Sequence, residues 1–181
     1  GRAMKDGISG ACSHQSNARI APIEIIESEF PTRVRRFELV RDSGGAGCYR
    51  GGLGVLREYE NLGEARFNIR SNKHFIAPRG VAGGEDGRCG RMTVHPGAAD
   101  EKILPSRYSD YPLADGDIFR LETPGGGGYG DPKTRPADLV MVDVNEGYVG
   151  VDAARDIYGV ALLMRDGAYV VDEAETRKLR S

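Results

Sequence analysis

Three glycine-rich stretches constrain the fold of this chain more than any other feature. They are DSGGAGCYRGGLG (42–54), RGVAGGEDGRCG (79–90) and ETPGGGGYGDP (122–132). Glycine supplies 26 of the 181 residues, whereas proline supplies only 9, and charged and aliphatic residues are spread throughout. Because disordered chains lack this regular supply of apolar residues, the composition predicts a globular chain with many tight turns.

The longest glycine run formally matches the GxGxxG pattern of dinucleotide-binding folds, at Gly125, Gly127 and Gly130. In those folds a helix starts directly after the loop and points its N-terminus at the pyrophosphate. Here an Asp-Pro pair intervenes and the helical pattern starts near residue 135, which disfavours a nucleotide site. Two interpretations remain. In the first, Gly125–Gly128 lets backbones pass closely, with at least one φ above zero and with the first glycine cluster (44–54) or the RSNK strand (70–73) as neighbour. In the second, the loop faces a substrate.

Alternation of apolar and polar residues predicts a β-rich body. The predicted strands are 33–41, 55–62, 65–71, 91–96 and 115–123, and 20–27 is predicted as a strand or a buried connector. The first two strands are expected to form a hairpin with the first glycine cluster as its long loop.

The pattern becomes helical after Pro132. A helix is predicted at about 135–146, with its N-cap at Thr134 or Arg135, followed by a short helix that ends at Gly159. A hairpin turning at residues 166–167 and a final helix capped by Asp172 complete the tail.

The predicted fold class is therefore α+β, mainly β. Antiparallel strands with long glycine-rich loops (20–123) precede a small helical tail. We predict a body of residues 1–132 and a tail of residues 133–181.

Charge and composition exclude several functions. The net charge of −2 predicts no nucleic-acid partner, and no run approaches the roughly 20 apolar residues of a membrane span. The start of the sequence has no secretory h-region, and Cys12, Cys48 and Cys89 lack CxxC spacing. These features predict reduced thiols and a cytoplasmic protein.

No catalytic residue can be assigned from spacing alone, and His14, His74 and His95 lack metal-ligand spacing, so no metal site is predicted. Three arginines beside the predicted strands could bind a carboxylate or phosphate through their forked guanidinium groups, or could simply form surface ion pairs. The candidate substrate or channel residues are Arg50, Gly51, Gly52, Arg57, Arg70, Gly125, Gly126, Gly127, Gly128 and Tyr129.

Several motifs in this order resemble the carboxy-terminal part of the hydantoinase B/5-oxoprolinase family. They are APIEIIE, FELVRDSGGAGCYRGGLGVLREY, RSNKH, LETPGGGGYGDP and DVNEGYVGVDAARDIYGV. The resemblance covers residues 20 to 162. Two positions depart from the family pattern: Ile20-Ala21-Pro22 replaces Asn-Thr-Pro or Asn-Val-Pro, and RSNK (70–73) replaces RSDR.

The resemblance implies a segment of a B-type subunit that works with a hydantoinase A-type partner, which binds ATP. It implies ATP-dependent opening of a cyclic amide such as 5-oxoproline or a hydantoin. The alternatives are a subunit fragment of an acetone- or acetophenone-type carboxylase and a non-catalytic assembly module. ATP and a divalent metal are expected in the complete complex, with no cofactor on this segment. The family's metal-binding region lies in the amino-terminal half of the subunit, so the segment alone is expected to be inactive.

Overall fold

The computed structural model describes residues 1–11 and 21–181. Its helices are α1 (Ile23–Glu29), α2 (Ala137–Asn145), α3 (Val151–Asp156) and α4 (Glu173–Arg180). Its strands are β1 (Thr32–Leu39), β2 (Val55–Asn61), β3 (Ala65–Arg70), β4 (Arg91–Val94), β5 (Lys102–Leu104), β6 (Arg107–Leu113), β7 (Ile118–Glu122), β8 (Leu162–Arg165) and β9 (Ala168–Val171). The pairings between these strands are all antiparallel, which confirms the predicted α+β, mainly β class.

The main sheet has five strands in the order β1-β2-β7-β4-β5. Strands β1 and β2 form the predicted hairpin, and Leu39 lies opposite Val55 at its loop end. The hairpin loop is the first glycine cluster. Strand β7 leads directly into the third cluster, so two glycine loops leave the sheet side by side.

Strands β3 and β6 form a separate two-stranded ribbon that covers one face of the sheet. Phe67 of the ribbon stacks on Phe119 of β7 with ring centroids 5.3 Å apart. A core of buried apolar side chains lies between ribbon and sheet: Ile69, Met92, Val94, Leu104 and Leu113. The ribbon is therefore fixed to the sheet by apolar packing.

The tail has its own core, which includes one residue from the first glycine cluster. The buried members are Ala46, Val140, Val144, Val149, Ala154, Tyr158 and Val160. Because Ala46 belongs to this core, the tail packs directly on a glycine loop of the body. The body–tail division at residue 132 stays a prediction.

The predicted hairpin and final helix of the tail are confirmed. Asp166 and Gly167 both have positive φ, which is the geometry of a type I′ turn. The Asp172 carboxylate accepts hydrogen bonds from the backbone N–H groups of Ala174 and Glu175 and so caps α4. Within the described residues, no helix is long and apolar enough to cross a bilayer.

Two local predictions are wrong, and two strands were missed. The segment 20–27 is not a strand where the structure describes it, because α1 begins after Pro22 and has no buried residue. Helix α2 has Pro136 as its N-cap residue, because Arg135 is extended and its side chain is used elsewhere. Strands β5 and β6 were not predicted.

Candidate functional site

The three glycine stretches meet in one place, which we call the glycine junction (residues 43–54, 78–90 and 124–130). Tyr129 pairs with Tyr49 in an antiparallel bridge and with Val81 in a parallel bridge. The N–H of Gly126 donates to the carbonyl of Gly52 at 2.8 Å, and the N–H of Gly128 donates to Glu85 at 2.9 Å. The third stretch therefore runs between the other two like the central strand of a sheet.

The glycines of the third stretch are explained by close backbone packing. A Cβ added at Gly125 would lie 1.8 Å from the carbonyl oxygen of Ser43, and one added at Gly127 would lie 2.0 Å from that of Arg79. At Gly126 the nearest atom would be 3.3 Å away. Real Cβ atoms cannot occupy the first two positions unless the neighbouring backbone moves.

The prediction of a positive φ within Gly125–Gly128 is wrong, since the positive φ of this loop lies at Gly130 (+76°). The predicted contact with the first glycine cluster is present, through Gly51 and Gly52. Hydrogen bonding to both neighbours keeps the four glycines in ordinary backbone regions.

An amino-terminal segment also crosses the junction. The N–H of Gly7 donates to the carbonyl of Arg50 at 2.8 Å, and the N–H of Gly10 donates to that of Leu53 at 3.0 Å. A Cβ at Gly7 would lie 2.2 Å from the nitrogen of Gly52. Close packing without side chains thus extends across several layers of chain.

A buried ion network ties the junction to the tail. Arg50 donates from Nε to Asp143 Oδ1 at 3.0 Å, and Arg135 donates to Asp143 Oδ2 at 2.8 Å. Arg135 is 2% exposed and also binds both carboxylate oxygens of Asp6 at 2.8 Å. Asp143 is thus shared by two arginines that lie on opposite sides of the body–tail contact.

The same network shifts the ionisation of its neighbours. Burial alone would raise the pKa of Asp6, but the hydrogen bonds and charge of Arg135 outweigh it and hold the pKa below its usual value. Burial raises the pKa of Tyr158 to about 12. Both groups therefore keep one charge state near neutral pH, Asp6 ionised and Tyr158 neutral.

The predicted arginines do not form one site. Arg50 is part of the buried ion network. It also packs on the face of the Tyr148 ring, with its guanidinium carbon 4.9 Å from the ring centroid. Arg57 covers the ring of Phe37 at 5.3 Å on the β1–β2 hairpin. Arg70, at the end of β3, is exposed and lines an open groove instead.

This groove encloses a cavity of about 810 Å³ between the β3–β6 ribbon and the start of the third glycine stretch. Its lining residues are Ile69, Arg70, Ser71, Asn72, Arg107, Tyr108, Ser109, Thr123 and Pro124. The volume lies within the range of small-molecule sites. Sequence reasoning missed Arg107 because it missed β6, although the Tyr-rich run RYSDYPL carried a strand signal.

Two histidines, His95 and His74, serve local structure. Nδ1 of His95 lies 2.6 Å from Asp100 and Nε2 lies 2.9 Å from Asp117. These hydrogen bonds, first that of Asp117, raise the pKa of His95. His74 lies 3.1 Å from the Ser71 hydroxyl, whereas His14 and Cys12 lie outside the described residues. In residues 1–11 and 21–181 no group of three potential metal ligands comes together.

A family model described as Hydantoinase B/oxoprolinase matches residues 1–132. The chain belongs to the hydantoinase B/oxoprolinase family. It is 34% identical over 181 residues to the B-type subunit of a putative D-/L-hydantoinase from Pseudomonas sp. (strain NS671), a match that covers 99% of this chain and 30% of that protein. It is 36% identical over 167 residues to the beta subunit of the caprolactamase from Pseudomonas jessenii, a match that covers 88% and 28%.

Solved structures support the same assignment. A nucleotide-free acetone carboxylase matches with a TM-score of 0.79 at 26% identity, over 98% of this chain and 28% of that one. The crystal structure of the ATP-dependent caprolactamase from Pseudomonas jessenii matches with a TM-score of 0.72 at 31% identity, over 88% and 28%. The chain thus spans less than a third of the length of these relatives.

Proposed function

We propose that this chain is the carboxy-terminal segment of the B-type subunit of a cytoplasmic, ATP-dependent cyclic-amide hydrolase. The complete enzyme would open 5-oxoproline or a hydantoin together with a hydantoinase A-type partner that binds ATP. The observation that carries the proposal is the match along 99% of the chain to the B-type subunit of the Pseudomonas hydantoinase. Similarity to a caprolactamase that is ATP-dependent supports the same class of reaction.

Within that enzyme, the glycine junction would act as a rigid wall. Its loops are joined by backbone hydrogen bonds, and its buried charges Arg50, Arg135 and Asp143 are all paired. Groups held in this way are poor candidates for moving protons during a reaction, since a general acid or base needs a pKa near the working pH. We therefore assign ATP, the divalent metal and the ring-opening chemistry to the rest of the complex.

A second candidate is an ATP-dependent carboxylase of ketones. The specific observation in its favour is the TM-score of 0.79 to acetone carboxylase over 98% of the chain. The sequence identity of 26% is lower than that to the hydantoinase or the caprolactamase. This ordering is why ring opening is the first proposal.

The two candidates can be separated by their requirements for ADP release. The complete B-type subunit is expressed with its A-type partner, and ADP is measured with ATP, Mg²⁺ and one organic substrate at a time. Ring opening predicts ADP release that depends on 5-oxoproline or hydantoin and is unaffected by bicarbonate. Release that requires bicarbonate together with acetone or acetophenone, and that ignores cyclic amides, would replace the first proposal with the second.

A control for partnership uses the same assay with either subunit omitted. Ring opening by two subunits predicts loss of substrate-dependent ADP release in both omissions. Full turnover by the 181-residue chain alone would contradict the role proposed for it. Absence of any turnover, with a stable two-subunit complex, would support an assembly module.

A further inference from the structure

Two arginines stand directly opposite each other on the β3–β6 ribbon. Arg70 and Arg107 are cross-strand partners in the antiparallel ladder. Residues in that relation project from the same face of the ribbon, with Cβ atoms about 5 Å apart, and like charges so placed repel each other. An arrangement that costs stability in the free protein calls for a compensating partner.

No such partner is provided within residues 1–11 and 21–181. No carboxylate of this described part lies within ion-pair distance of either guanidinium, and neither guanidinium takes part in a hydrogen bond there. By contrast, Arg66, four residues earlier on β3, forms an ion pair with Asp110 at 2.5 Å. The ribbon thus has one neutralised arginine and one pair of arginines left open.

The open pair faces a cavity of ligand size. Both arginines line the 810 Å³ groove, together with the polar residues Asn72 and Ser109. Neither of these two polar side chains donates a hydrogen bond within the described part of the chain, in contrast to the groove's Ser71 and Thr123 hydroxyls, which are engaged with His74 and Val55. The groove therefore presents two cations and two neutral hydrogen-bonding groups toward one space.

We propose that Arg70 and Arg107 bind the carboxylate of a small ligand in this groove. Each guanidinium can direct two parallel N–H groups at a carboxylate, and two opposed guanidiniums can hold it from both sides. The inference extends the proposed function by naming a carboxylate as one chemical group of the substrate. It rests on the proposed function only for the identity of the ring that carries this carboxylate. Binding itself can be measured without turnover.

The test compares matched ligands on the complete two-subunit protein by calorimetry. The charged ligands are 5-oxoproline and hydantoin-5-acetate, and their uncharged counterparts are 2-pyrrolidinone and 5-methylhydantoin. The parent protein should bind at least one charged ligand more tightly than its counterpart. The double variant Arg70→Met/Arg107→Met should weaken that binding by about 10- to 100-fold, as expected for loss of charge-assisted hydrogen bonds, and leave the counterpart unchanged.

The matched control is Arg66→Met/Arg165→Met, which removes the same charge from exposed positions outside the groove. It should bind the charged ligands as the parent does. Thermal melting provides the second readout, because the charged ligand should raise the Tm of the parent and the control but not of the groove variant. A conservative Arg70→Lys/Arg107→Lys variant, which keeps the charge and loses the fork, should bind with intermediate affinity.

The proposal is overturned if the parent binds charged and uncharged ligands equally, or if the groove variant binds the charged ligand as tightly as the parent. It is also overturned if control and groove variants lose the same affinity, since net charge alone would then explain the loss. Carboxylate-selective binding without ATP-dependent ring opening would leave this inference standing and remove the proposed function instead.

Discussion

The glycine junction and the groove beside it handle polar groups in opposite ways. In the junction, Arg50 and Arg135 are buried and share Asp143. In the groove, Arg70 and Arg107 are exposed and face each other without a carboxylate from the described chain. The two regions are in contact through Thr123 and Pro124, which follow the end of β7 and lead into the glycines of the third stretch.

The contrast teaches that a glycine-rich loop is weak evidence for a ligand site. Glycine at residues 125, 127 and 128 is required by carbonyl oxygens that lie about 2 Å from where a Cβ would stand. Unpaired like charges beside a cavity point to a ligand more directly, because they repel each other across the strands and a bound anion would relieve that repulsion. The junction positions the groove, and the groove is where we propose that the ligand binds.

The largest effect is expected from breaking the buried network of the junction. Arg135→Met would leave Asp6 without its cation and Asp143 with Arg50 alone, and removing one partner of a buried pair costs about 3–5 kcal/mol of unfolding free energy. Urea unfolding measures the loss. Arg155→Met, which removes a half-exposed arginine 3.8 Å from Glu175, is the control and should cost less than about 1 kcal/mol. Equal losses of unfolding free energy in the two variants would show that the buried network contributes no more than an exposed ion pair.

The next largest effect is a difference in unfolding free energy between alanine substitutions at two neighbouring glycines. Gly127→Ala places a Cβ 2.0 Å from the Arg79 carbonyl oxygen, so backbone must move, at a cost of about 1–3 kcal/mol or more. Gly126→Ala meets its nearest atom at 3.3 Å and should change the unfolding free energy by less than about 1 kcal/mol. Urea midpoints compare the two. Equal losses would show that flexibility, and not close packing, explains the glycine run.

Sequence reasoning succeeded where local pattern decides structure. Alternation identified β1, β2, β3, β4 and β7, and Asp172 and Gly167 marked the last helix and hairpin. It failed for α1, where isoleucines and glutamates are mixed but no residue is buried, so that the local preference after Pro22 prevails. It missed β6, whose exposed residues and Pro112 obscure the strand signal.

The site was harder to predict because its contacts are distant in sequence. Asp6 and Arg135 are separated by 129 positions, and no spacing rule joins them. Arg70 is a sequence-based candidate because of its residue type and its position beside a predicted strand. Its meaning depends on Arg107, which only the strand pairing reveals.

A smaller effect is expected on the stability of the protein at acidic pH. Because the pKa of Asp6 is held below its usual value of 3.8, its contribution to stability is fully present above that value and is lost as pH falls through the lowered pKa. The urea concentration at the unfolding midpoint of the parent should therefore decrease when the pH is lowered below about 4. Asp6→Asn should be less stable near neutral pH and show a shallower fall, and an unchanged pH slope would contradict the pairing with Arg135.

The smallest effect lies outside both regions, at His95. Its pKa is raised above 6.5 by Asp117 and Asp100, so the stability it contributes is complete below pH 6.5 and is lost as pH rises through the raised pKa. His95→Asn tolerates the local φ of +52° and should remove this pH dependence on the alkaline side of pH 6.5. Persistence of the same dependence would assign it to another group.

The most direct measurement of the distinction between junction and groove is the activity of Gly126→Ala in the complete two-subunit enzyme. The added methyl group makes a tight contact of 3.3 Å with the backbone nitrogen of Gly52, without the overlapping contacts of about 2 Å found at Gly125 and Gly127, and it would obstruct a ligand that lay on this loop. If the loop only packs, the KM values for ATP and for the cyclic amide, and kcat, should equal those of the parent, while Arg70→Met/Arg107→Met raises the KM of a carboxylate-bearing substrate. A stable Gly126→Ala enzyme with a strongly raised KM for either ligand would contradict the structural role of the glycine junction.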